Sequence, residues 1–299
     1  MTGNVVRITD EINFGIGVEH GNDAGEDGTP AVISDVLIAR KVVTGAAVAG
    51  ISVGSGVHRA QGNLTRRVRV LDNRVHLVRR SRENHTRGIA VFAGAEASDG
   101  IFPEVRPLRY PDGNVVRDVE VRGNTVSGTL EEGVRVSTAA QAPDSRNRAE
   151  DVRIVRNVIS STLAGGPGVY VFTDSNGEPP GSRYAVGNRI ARVTVASNRI
   201  SVPGRPTAYR PTLAGAVVLL GGGEWSRDGS IRDVRIVNNR IATSEAGVKV
   251  VGGVGGHARG NSVTCVRISG NRVSGARTAV SVISSAEYAS GNRASLGGC

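Results

Sequence analysis

Little of this chain is aromatic: one Trp, five Tyr and four Phe among 299 residues. That argues against a globular core built on aromatic side chains and long helices. The apolar residues that remain are mostly Val, Ile and Ala, which suit pleated, half-buried surfaces. No stretch approaches the roughly 18 apolar residues that a membrane-crossing helix needs, so no membrane span is expected. Met1-Thr2-Gly3-Asn4 has no basic segment followed by an apolar run, so no signal peptide is read at this end. There is no H-x-x-x-H pair and no Cys-His cluster, so no transition-metal site is assigned. His20, His58, His76 and His257 read as surface residues. Lysine is scarce as well. Only Lys41 and Lys249 occur, so the net charge of +10 is carried almost wholly by arginine. Solvated strand faces account for such a charge, and so does an anionic partner, either an acidic polysaccharide or a nucleic acid.

What is abundant is repetition. Six segments read V-x-[VI]-x-x-N-x-[VI], with their asparagines at Asn73, Asn124, Asn157, Asn198, Asn239 and Asn271. A seventh copy, from Val36, carries Lys41 in the asparagine slot. Asn4 and Asn292 are read as the first and last members of the series. Each copy is followed by G-[VI]-x-V or a near variant, as in Gly88-Ile89-Ala90-Val91, Gly133-Val134-Arg135-Val136 and Gly168-Val169-Tyr170-Val171. Internal self-similarity at this period marks a stacked repeat fold. Strict alternation within each piece marks short strands with every second residue turned inward. About eight coils of three strands are therefore expected, all-β and parallel, in a single domain over residues 1–299. The asparagines are expected to bond along the axis as a ladder. The glycine that opens the third strand is expected where a Cβ would crowd a corner. Asn4 already stands in turn register, so an N-terminal cap is expected to be absent from this chain.

The outward residue of each G-V-x-V strand is its third. Coil by coil that ladder reads Gly17, Ser52, Ala90, Arg135, Tyr170, Val217, Lys249 and Ser281. Arg87 and Glu132 precede the glycines of two copies. Nearby loops add His85, Glu96, Asp99, Glu131, Asp144, Asp174 and Glu178. The insertions 92–117, 137–150, 172–191 and 219–232 follow this strand and are expected to wall a groove over it. Arginine elsewhere is spread over the other two strands, with Glu120 and Thr194 interrupting one stack. With few aromatics to stack bases, nucleic acid is not the expected partner.

The pattern resembles the pectate-lyase-like superfamily of right-handed β-helix repeat proteins over essentially the whole chain. That resemblance implies a single-stranded right-handed parallel β-helix, with V-x-I as its PB2 strand, N-x-I opening PB3, and G-V-x-V as PB1, where substrate lies. It implies a secreted or cell-surface protein, expected as a monomer, that meets an acidic polysaccharide. For a uronate lyase, the substrate carboxylate is neutralised by arginine or by Ca²⁺ on carboxylates, and a base removes the adjacent proton. Arg135, Tyr170 and Glu132 would fill the catalytic roles, and Arg87, His85, Lys249 and Asp174 would bind substrate. A hydrolase would instead use a carboxylate pair, here Glu131 or Glu132 with Asp174. The polygalacturonase, pectate-lyase and alginate-epimerase signatures are not in the chain, so the resemblance implies a fold and a face rather than a named activity. A non-catalytic glycan-binding or adhesive β-helix is the alternative. Cys265 and Cys299 are the two cysteines. A bond between them would imply an oxidising compartment, and two reduced thiols would not.

Overall fold

The computed structural model describes residues 4–8, 14–19, 30–45, 48–56, 61–78, 86–94, 111–128, 131–138, 145–161, 166–173, 184–203, 213–286 and 288–297. These residues contain no α-helix, and no helix among them is long and apolar enough to cross a membrane. Their strands form three large parallel sheets, each made by every third strand or nearly so. Sheet 1 holds the V-x-I strands, from Val32–Ala39 and Leu64–Leu71 through Ser230–Val237 and Ser262–Ser269 to Arg293–Leu296. Sheet 2 holds the short N-x-I strands, from Val5–Ile8 to Arg272–Ser274. Sheet 3 holds the G-V-x-V strands, from Phe14–Val18 to Thr278–Ala286. This connectivity is compatible with a parallel β-helix.

Inward residues of all three sheets meet in one apolar core. Val70, Val121, Ile154, Val195 and Ile236 contribute from sheet 1, Val75, Val126, Ile159 and Ile200 from sheet 2, and Val91, Val136 and Val171 from sheet 3. A β-branched side chain stacks on its equivalent in the next coil, which removes both from water without long-range packing geometry. The glycine expectation holds. A Cβ at Gly88 would collide with Val126 Cγ1 and the Gly133 carbonyl, and one at Gly133 with Ile159 Cγ2.

The asparagine ladder is continuous. Asn157 Oδ1 accepts from the backbone N and the Nδ2 of Asn124, at 2.9 and 3.0 Å. Asn157 Nδ2 in turn donates to Val121 O at 2.9 Å and to Asn198 Oδ1 at 3.0 Å. The pattern repeats from Asn73 to Asn271. Lys41 takes the asparagine slot as expected, its backbone N donating to Asn73 Oδ1 at 2.8 Å. Asn4 lies in the same register, since Val5 pairs with Val42.

Asn292 does not belong to this ladder. It ends a second one, at the corner before sheet 1, made of Asn63, Asn114, Asn147, Asn188, Asn261 and Asn292. Gly229 stands in the slot between Asn188 and Asn261, its N donating to Asn261 Oδ1 at 2.8 Å. The residue before each slot is in the left-handed conformation: Gly62, Gly113, Arg146, Gly187, Asp228, Gly260 and Gly291. A glycine there costs no Cβ strain, so the local signal is G-N, present in five copies.

Another left-handed column bends every long sheet 1 strand at Asp35, Arg67, Asp118, Asp151, Arg192, Asp233 and Cys265. Neighbours in this column alternate in charge where they touch. Arg67 donates to both oxygens of Asp35, at 2.6 and 2.7 Å. Arg192 donates to both of Asp151, at 2.6 and 2.9 Å, and to Glu150 at 2.8 Å. Hydrogen bonds from these guanidiniums hold the Asp35 and Asp151 carboxyls below the usual carboxylate range. Cys265 is disulfide-bonded. Cys299 lies outside the described residues.

Asn157→Ala removes one acceptor and one donor from a fully buried network, leaving Asn124 and Val121 O unsatisfied. The expected cost is on the order of 3 kcal/mol, against less than half of that for Asn271→Ala at a half-buried rung. Midpoints of urea unfolding check this, and equal shifts for the two variants would reject the ladder as a cohesive element.

Candidate functional site on the outer face of sheet 3

Parallel register places the outward residues of sheet 3 in columns about 4.8 Å apart per coil. One column runs Ser52, Ala90, Arg135, Tyr170, Val218, Lys249, Ser281. Val218, not Val217, is the outward member. Val169 pairs with Val217, which therefore turns into the core, because Gly215 aligns with Ala246 rather than with Gly247. A second column starts one residue before the glycines, with Ala49, Arg87 and Glu132 in register. A third contains Gly54, Phe92, Ser137, Phe172, Leu220 and Val251.

Three of the expected site residues converge. Arg87 Nε lies 3.8 Å and Arg135 Nε 3.7 Å from the same oxygen, Glu132 Oε2. Register explains it: Glu132 pairs directly with Arg87, and Arg135 follows it by three residues on the same strand. The Arg135 guanidinium also lies over the Phe172 ring, 4.3 Å from its centroid. Tyr170 pairs with Arg135 and stacks on Phe172 with centroids 4.5 Å apart. Glu131 is buried beside Glu132. Lys249 stands three coils from Arg135, as the spacing predicts, and does not join the cluster. His85 and Asp174 lie outside the described residues, as do Glu96, Asp99, Asp144 and Glu178.

This face is not an open groove among the described residues. Arg87, Glu132, Arg135 and Tyr170 are 4%, 2%, 6% and 3% exposed. Beyond Tyr170 the face becomes an apolar layer of Phe172, Leu213, Val218, Leu220, Val251 and Val254. Of the insertion 219–232, Leu219 and Leu220 end the sheet 3 strand Gly215–Leu220, Ser226–Arg227 is a short strand paired with Ala185–Val186, and Ser230 opens the next sheet 1 strand. Two outward hydroxyls, Ser52 and Ser137, are buried and make no hydrogen bond. Taking an Arg–Glu–Arg group out of water costs several kcal/mol per ion, so its burial is weak evidence for stability and stronger evidence for a role. Glu132 already lies between two guanidiniums, which does not fit a Ca²⁺ ligand. Among the described residues no group of three or more His, Cys, Asp or Glu is placed to hold a metal ion.

One further feature escaped the repeat reading. Tyr184, Trp225, His257 and Tyr288 each stand four residues before a slot of the second ladder, and so share a column. Trp225 and His257 stack at 3.8 Å, Tyr184 tilts against Trp225 at 5.8 Å, and Arg227 lies 3.6 Å from the Tyr184 centroid. The signal was the shared offset from G-N, invisible until the second ladder is recognised.

No protein-family model and no curated protein matches the sequence. Among solved structures, the chain is similar to the mannuronan C-5 epimerase AlgE4 A-module of Azotobacter vinelandii, at 10% identity over 99% of this chain and 91% of that one, with a TM-score of 0.14. A likeness at that score carries no argument about this chain.

Two outcomes follow from the site. Glu132→Gln leaves two guanidiniums buried without their shared anion and is expected to lower the unfolding free energy by about 3 kcal/mol; an unchanged urea midpoint would contradict the pairing. Burial pushes the Lys249 ammonium below its ordinary value, with Glu245 partly opposing. The folded state then binds fewer protons than the unfolded chain as pH nears the unfolded value of 10.5, so stability rises with pH in that window. Lys249→Met is expected to remove that rise, measured as Tm from pH 8 to 11, and a wild-type slope retained by the variant would discard the assignment.

Proposed function

We propose that the chain is a right-handed, single-chain parallel β-helix of about eight coils that acts outside the cell on an acidic polysaccharide, at the outer face of sheet 3. The observation that carries this is the Arg87–Glu132–Arg135 group with Tyr170 next in register. A uronate lyase must neutralise a carboxylate and then remove the proton beside it. Two guanidiniums suit the first task, and a phenol or guanidinium suits the second. Glu132 is held between the arginines and would orient them. A hydrolase reading needs a second carboxylate at a suitable separation, and its candidate, Asp174, lies outside the described residues. The lyase reading is therefore preferred. The disulfide at Cys265 supports an oxidising compartment.

The burial of this cluster favours a second reading, a glycan-binding or adhesive β-helix whose sheet 3 face is part of its fabric. Turnover separates the two. The protein is incubated with pectate, alginate and glycosaminoglycans, with and without added Ca²⁺, and ultraviolet absorbance of unsaturated product is followed. The lyase reading expects product from at least one polymer and a loss of at least a hundredfold in kcat for Tyr170→Phe, which keeps the ring stack on Phe172. Polymer binding without product on any substrate would move the assignment to the binder.

A further inference from the structure

Charge along the chain is strongly uneven. Residues 192–299 hold fourteen Lys and Arg against five Asp and Glu, a net +9 of the whole chain's +10. Register concentrates that excess further. The outward column of sheet 2 reads Val42, Arg74, Thr125, Val158, Arg199, Arg240, Arg272. The first four members never place two charges together, whereas the last three are arginine on consecutive coils. Around the asparagine turn, sheet 1 adds Arg235 and Arg267, also paired in register. All five arginines are exposed.

At two bends of sheet 1 the same architecture pairs charge between neighbouring coils, as Asp35 does for Arg67 and Asp151 for Arg192. Here it does not. Among the described residues none of these five arginines forms an ion pair; the acids of these coils go elsewhere, Asp233 to Arg232 and Glu245 to Arg277. The corner between the two arginine columns carries Ser197, Asn238 and Gly270, all uncharged and all in the left-handed conformation. At the equivalent corner, earlier coils carry Arg40, Asp72, Gly123 and Arg156. Like charges repeated about 4.8 Å apart repel one another. A linear anion lying along the axis would turn that repulsion into attraction at every rung.

We propose that Arg199, Arg240 and Arg272, flanked by Arg235 and Arg267, form a binding strip for a linear acidic polysaccharide, on a face separate from the sheet 3 cluster. The proposal rests on the preceding reading only for the substrate class. A polyuronate has one carboxylate per sugar ring, a charge repeat of the same scale as the coil rise, and each guanidinium can take a carboxylate in a two-pronged bond. A single-stranded nucleic acid would also want aromatic platforms, and the aromatic column of Tyr184, Trp225 and His257 stands at a different corner. The strip would hold a long polymer on the protein, while any chemistry occurs on the other face.

The test is calorimetric titration of the full chain with galacturonate and mannuronate hexamers, a neutral glucose hexamer and a hexanucleotide, at low and at physiological salt. At least one uronate hexamer is expected to bind, at least tenfold more weakly at the higher salt. The neutral hexamer is expected not to bind. The combined variant Arg199→Gln, Arg240→Gln and Arg272→Gln is expected to lose at least tenfold in affinity with an unchanged or higher Tm, because surface repulsion is removed. Tyr170→Phe is expected to bind as the wild type does, so failed turnover on sheet 3 leaves this inference standing. Wild-type protein that binds neither uronate hexamer, a triple variant that binds as tightly as wild type, or a hexanucleotide bound more tightly than either uronate would each overturn it.

Discussion

From Asn124 to Asn271, successive coils are held in register by an asparagine whose Oδ1 accepts two hydrogen bonds from the coil before it. The backbone ladders would tolerate a slip of two residues, because parallel strands repeat with that period. The buried amide does not, since a slip would leave its donor and acceptor unsatisfied at a cost of about 1–3 kcal/mol each. Two such ladders, on either side of sheet 1, lock both ends of its strands. Everything else about the surface follows from that lock.

Strict register means that every side chain stacks on its equivalent in the neighbouring coil. For Val and Ile this is favourable, and the core can be built almost without aromatics. For charge it is a problem, and the chain resolves it differently on each face. Sheet 1 sets bidentate Arg–Asp pairs at two of its left-handed bends. Sheet 3 buries two arginines against one glutamate and a phenyl ring. Sheet 2 leaves three arginines uncompensated in its C-terminal coils. The last two arrangements carry a physical cost, since burying charge removes its hydration and stacked like charges repel.

The expected open groove shows how far pattern can carry an inference and where it stops. Alternation told which residues of G-V-x-V point away from the core, and Arg135 and Tyr170 do so; it did not tell that Arg87 and Glu132, which precede the glycines, would meet Arg135. It could not tell whether outward means solvated. Tyr170 stacks on Phe172 and Arg135 lies over the same ring, so the outward face is itself a packed layer. The one-residue error at Val217 has a similar origin. The Gly215 copy begins one position early, and only pairing with Ala246 shows that Val218 is the outward member.

The chain's own pattern determined the all-β class, the three strands per repeat, the inward Val and Ile, the asparagine ladder and even the lysine that replaces one of its rungs. Those features are local or periodic, and a period of two residues within a strand and of one coil between strands is written directly in residue order. Only the tertiary structure decided that a second ladder runs through the G-N corners, that Asn292 belongs to it, that Arg87, Arg135 and Glu132 share one oxygen, and that three arginines stand uncompensated on sheet 2. These depend on which residues the loops of unequal length bring into the same column. Loop length does not disturb the register of these stacked parallel strands, but it hides that register from any fixed spacing along the chain.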